Sequence, residues 1–85
     1  MTLTEPNPSG TAKLTTLDLK GLKCPMPIVK TAQAIRTIAA GELLEVLATD
    51  PGSVADFGAW SRSTGNELVE QTMQDGVYRF VLRRK

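Results

Sequence analysis

The 85-residue sequence contains no histidine and a single cysteine, Cys24. The missing histidine removes the commonest partner of a nucleophilic thiol, so a Cys–His pair of the protease or transferase kind is excluded within this chain. With one thiol and no imidazole, a dedicated zinc site is not expected, nor any other cofactor. One cysteine cannot close an internal disulfide, and no Cys-x-x-Cys is present to run an internal exchange cycle. Net charge is only +1, from ten basic and nine acidic residues, and offers no general attraction to nucleic acid or to a membrane surface. One Trp, one Tyr and two Phe leave little for stacking on bases. No apolar run approaches the length of a membrane span, and residues 1–13 lack the apolar middle of a signal peptide. A cytoplasmic protein is expected, because a lone thiol stays reduced there.

What is present fits one small domain, and the 41% hydrophobic content excludes wholesale disorder. Residues 1–13, rich in Thr, Pro, Ser and Gly, read as a mobile tail, and residues 14–83 as the domain. Leu17 and Leu19 alternate with Asp18 in a short first strand. Ile28, Ala32, Ile35 and Ala39 then step by four, three and four, which predicts a helix from about Pro25 to Ala40, with Gly41 after its last turn. Residues 42–49 are apolar on both faces and predict a central strand. Asp50-Pro51-Gly52-Ser53 carries helix-start chemistry, with Asp50 as N-cap, and Val54, Phe57 and Trp60 lie along one side of the helix that follows. Gly65 ends that helix. Residues 67–73 and 77–83 are two further strands about the hairpin signal Asp75-Gly76. The expected fold is therefore α/β: a two-layer sandwich of order β-α-β-α-β-β, a four-stranded mixed sheet with both helices on one face. The strand order within the sheet is left open.

The chemistry concentrates in Lys20-Gly21-Leu22-Lys23-Cys24-Pro25-Met26-Pro27. Two prolines close behind Cys24, Pro25 and Pro27, place it where an extended segment hands over to a helix, since proline suits the first helical turn and biases the preceding residue away from it. If Cys24 is the N-cap, Met26 supplies the nearest free N–H. Because Met26 itself precedes a proline, a helix start a residue or two later is the alternative. In either case the thiol lies at the N-terminal mouth of the helix, facing the positive end of its dipole. The dipole and a free N–H both favour thiolate. The dipole effect is typically ~0.3–1 kcal/mol, less than one pKa unit, so moderate acidity is expected. As a base rate a lone cysteine is more often a small buried hydrophobe. The loop-to-helix position, the stiff proline pair and the neighbouring Lys20, Lys23 and Lys30 favour a presented, reactive sulfur. A reactive thiol with neither a base nor a resolving partner suits carriage of a group between proteins.

The stretch from Leu17 to Pro27 resembles the signature of the TusA (SirA-like) sulfur-carrier family, with further matches at Gly41-Glu42, Asp50-Pro51-Gly52-Ser53 and Gly65-Asn66-Glu67-Leu68. That resemblance spans about Leu17 to Leu82. It implies the same β-α-β-α-β-β sandwich, and a role in accepting sulfane sulfur as a persulfide on Cys24. The implied donor is a cysteine desulfurase or a rhodanese, and the implied acceptor is a downstream thiol protein. The pathways open to such a carrier are tRNA thiolation, cofactor sulfuration and sulfur oxidation. Pro25, Met26 and Pro27 would shape the site, while Lys20, Lys23, Lys30 and Asp50 are candidates for docking. Asn66 departs from the family pattern, in which many relatives carry histidine. The competing class is a small RNA-binding or regulatory module without sulfur transfer. Scarce aromatics and near-neutral charge argue against it, and direct binding of nucleic acid is not expected.

Overall fold

The computed structural model describes residues 13–85, so the expected N-terminal tail lies outside the described residues except for Lys13. Its carbonyl accepts the Leu43 N–H at 2.9 Å, at the head of the first strand pair. The elements are β1 (Leu14–Leu19), α1 (Met26–Ile35), β2 (Leu43–Ala48), α2 (Ser53–Thr64), β3 (Glu67–Gln74) and β4 (Val77–Arg83). The sheet order is β1-β2-β4-β3. β1 runs parallel to β2, while β4 is antiparallel to both β2 and β3. The crossover through α2 therefore skips one strand position, and β4 returns to fill it. The two-residue hairpin turn has positive φ at both central residues, Asp75 (53°) and Gly76 (79°). That is the primed geometry whose twist matches the flanking strands.

Strand alternation sets the core. Leu44, Val46 and Ala48 of β2 and Phe80 and Leu82 of β4 point to one face and are fully buried. Ile35, Ile38 and Phe57 meet them from the helical side in a single cluster, so both helices cover the same face. The Phe57 and Phe80 rings stack with centroids 4.4 Å apart. β2 is interior, as its two-sided apolar pattern requires. The opposite face carries an ion-pair ladder: Arg79 binds Glu45 and, at 2.9 Å, Glu70, while Arg83 meets Glu67 at 2.6 Å. Thr16 also donates to Glu45, at 2.7 Å.

Two helix boundaries differ from expectation. α1 ends at Ile35, because Arg36 and Thr37 turn back in i→i−3 bonds to Gln33 and Ala34, and the Thr37 hydroxyl also takes the Ala34 carbonyl at 2.6 Å. Ile38 reaches the core from this tightened turn, continuing the apolar stripe beyond the helix. α2 begins at Ser53 with Gly52 as N-cap, and the Asp50 side chain does not cap it. Asp50 instead accepts the Ser53 N–H through its backbone carbonyl at 3.0 Å. Val54 faces outward, 36% exposed, so Phe57 anchors the helix with Trp60 packed beside the core. The C-terminal end is as expected, with Gly65 in the left-handed region (φ 82°) and its N–H on the Ser61 carbonyl.

Candidate functional site

Parallel pairing of β1 with β2 brings the loops after both strands to one edge of the sheet, where Cys24 lies. The β1–α1 loop is tied across that edge. Gly21 adopts φ 88° and donates its N–H to Thr49 Oγ1 at 2.9 Å. The Cys24 N–H donates to Asp50 Oδ2 at 3.0 Å. The Cys24–Pro25 peptide bond is cis, and Pro25 is the N-cap of α1, its carbonyl accepting the Val29 N–H. Pro27 is fully buried, whereas Met26 is 39% exposed. The cysteine thus sits one residue before the N-cap instead of occupying it.

That single-residue offset changes the thiol's surroundings. The Met26 N–H is engaged by the Lys23 carbonyl at 2.8 Å, so it does not serve the sulfur. The thiol instead donates to Asp56 Oδ2 at 2.9 Å, from the first turn of α2. The expected tilt toward thiolate is reversed. The hydrogen bond to Asp56 leads in pushing the Cys24 thiol above its ordinary pKa, followed by desolvation and by the charges of Asp56 and Asp50. A carboxylate in contact outweighs a helix terminus whose nearest donor is already taken.

Of the residues singled out from sequence, Cys24, Pro25, Met26, Pro27 and Asp50 share this edge. Asp50 does so as the clamp on the Cys24 amide. Lys20, Lys23 and Lys30 are exposed, and Lys20 is paired with Asp18 at 3.8 Å. Asp56 escaped the sequence reading. The signal available was a second carboxylate in the first turn of a helix that opens on the cysteine's own edge. Asn66 is elsewhere, buried, and holds the C-terminus by accepting the Lys85 N–H at 2.8 Å. A cleft of about 560 Å3, lined in part by Trp60, Arg36, Arg84 and Lys85, does not include Cys24. The sulfur is exposed at the surface.

Residues 15–84 match the family described as Sulfurtransferase TusA. The chain belongs to the TusA family. Among its relatives, the sulfur carrier protein TusA of Allochromatium vinosum is 43% identical over 68 residues, covering 80% of this chain and 90% of that one. A candidate sulfur carrier protein of Halobacterium salinarum is 54% identical over 70 residues, covering 81% and 86%. The fold is shared with the crystal structure of a SirA-like protein from Desulfitobacterium hafniense, with a TM-score of 0.72 at 24% identity over 82% of this chain and 95% of that one. Among the described residues of this TusA family member, no helix is long and apolar enough to cross a membrane.

Proposed function

We propose that this protein is a sulfur carrier that accepts sulfane sulfur as a persulfide on Cys24 and relays it to a downstream thiol protein. Membership of the TusA family and the names of its relatives support the carrier role. The observation that carries the finer reading is the presentation of Cys24. Its sulfur is exposed, outside the cleft beside Trp60, on a loop clamped at Gly21 and at Cys24 itself. A sulfur held rigidly but enclosed by nothing suits a reactant that is another protein's active site rather than a small molecule.

In the loading step the Cys24 sulfur attacks the outer sulfur of a donor persulfide, R–S–SH. The donor S–S bond breaks as the Cys24 S–S bond forms, and the donor departs as R–SH with the proton that Cys24 gives up. Cys24 is oxidised to the persulfide and the donor reduced to a thiol, so no external oxidant is required. A second exchange of the same kind passes the sulfur on. The donor is a cysteine desulfurase or a rhodanese, and the setting is the cytoplasm. Pro25 and Pro27 stiffen the loop, while exposed Met26, Lys20, Lys23 and Lys30 form the docking rim.

Incubation with a cysteine desulfurase and cysteine is expected to add the mass of one sulfur atom, removable by reductant. Cys24→Ser keeps the backbone N–H that donates to Asp50 and offers a hydroxyl to Asp56, so it is expected to stay folded and to take up no sulfur. Intact-protein mass spectrometry checks both, and sulfur loading of the serine variant would overturn the assignment.

A further inference from the structure

The acidic contact on the sulfur has a use of its own, and the inference drawn from it rests on the carrier reading above. We propose that Asp56 gates Cys24: its carboxylate holds the thiol proton at rest and opposes the anionic persulfide after loading, until a partner sets a guanidinium or ammonium group against it. The geometry is a direct Sγ–H···Oδ2 contact of 2.9 Å, from a side chain in the first turn of α2, one residue before fully buried Phe57. A second carboxylate, Asp50, holds the adjoining amide, so two acidic groups from one loop-helix unit face the cysteine. Both charges push the thiol above its ordinary pKa. From its own segment, Lys23 is exposed and Lys20 is occupied by Asp18, while Lys30 of α1 faces solvent.

The consequence for a carrier follows from electrostatics. A free, exposed thiolate is open to any electrophile or oxidant it meets, whereas a protonated thiol is inert. Loading adds a sulfur about 2 Å beyond Sγ, and the anion it bears lies within a few ångströms of the same carboxylate. Like charges at that range favour departure of the sulfur over its retention. A cation brought by the donor neutralises Asp56, releases the thiol for attack and stabilises the new anion. Withdrawal of that cation leaves the loaded sulfur primed for the next partner. The partner surface that fits is therefore basic at the point facing Asp56, whatever charges lie further out.

The test compares wild type with Asp56→Asn and, as a second neutral variant, Asp56→Ser, after circular dichroism has established that each is folded. Iodoacetamide alkylation of the free protein is followed across pH. Both variants are expected to show a midpoint displaced to lower pH and faster alkylation at pH 7, whereas Asp56→Glu should stay near wild type. A merely structural role would leave the pH profile in place, and coincident profiles overturn the gate. Loading from a persulfidated cysteine desulfurase is then measured against salt. Wild-type loading should slow as salt rises, and the Asp56→Asn rate should be less salt-dependent. Equal salt dependence would overturn the partner cation. Failure of wild type to take up sulfur would overturn the carrier reading, and the alkylation profile would still decide the role of Asp56.

Discussion

Replacing Asp50 separates two roles that one carboxylate can play. As a helix cap it would hold α2, whereas the geometry shows it holding the Cys24 amide across the edge of the sheet. Asp50→Ala removes an acceptor from a single N–H···O bond of 3.0 Å in a solvent-accessible setting. A hydrogen bond of ordinary net worth contributes about 0.5–1.5 kcal/mol. For a domain of this size, a loss of about 1 kcal/mol lowers Tm by roughly 4–8 °C. Asp50→Asn keeps an oxygen acceptor and should recover most of that loss. The discriminating assay is amide hydrogen exchange resolved by residue. In Asp50→Ala the Cys24 N–H should lose protection while amides inside α2, such as that of Phe57, keep theirs. Loss of protection in α2 with the Cys24 amide unchanged would refute the clamp and restore the cap. The alanine variant should also lower the thiol pKa, because the Asp50 charge is one of the groups raising it.

Two further outcomes concern the rest of the fold. The bonds from Arg79, then Thr16, hold Glu45 below its ordinary carboxylate pKa. The stability this contributes is fully present above the unfolded value, about 4.3, and is lost as pH falls through the lower folded one. Glu45→Gln should therefore be less stable than wild type at neutral pH, and chemical denaturation should show the two converging in acid. Gly65→Ala places a side chain at φ 82°, with its Cβ 2.9 Å from Lys85 Cδ. The left-handed backbone costs about 1–2 kcal/mol for a residue with a side chain. Because the lysine end can swing away, a Lys85→Ala background should not rescue the loss in Tm. Full rescue would assign the cost to the clash instead.

Most elements were readable from local pattern. The 3.6-residue stripe located α1, alternation located β1 and β4, and Asp75-Gly76 located the turn, because each signal is settled within a few residues. The misread features depended on contacts between distant segments. Asp50 looks like a cap from its neighbours alone, and only the parallel pairing of β1 with β2 brings its carboxylate to Cys24, 26 residues away. Asp56 pairs with the thiol across 32 residues, and nothing in its own surroundings distinguishes it from an ordinary first-turn acid. The offset of Cys24 from the N-cap turned on one residue, below what proline preferences resolve. A sequence rule that weighed the dipole and omitted the carboxylates therefore gave the wrong direction for the thiol.

Each side chain that binds Cys24, and Thr49, which fixes its loop, comes from the segments between β2 and the first turn of α2. The β3–β4 hairpin completes the core through Phe80 and Leu82 and carries most of the outer ion pairs, yet it supplies no group to the sulfur. The two halves of the sheet meet only along the β2–β4 seam. The hairpin's outer surface can therefore exchange one set of charges for another without altering how readily the sulfur gives up a proton.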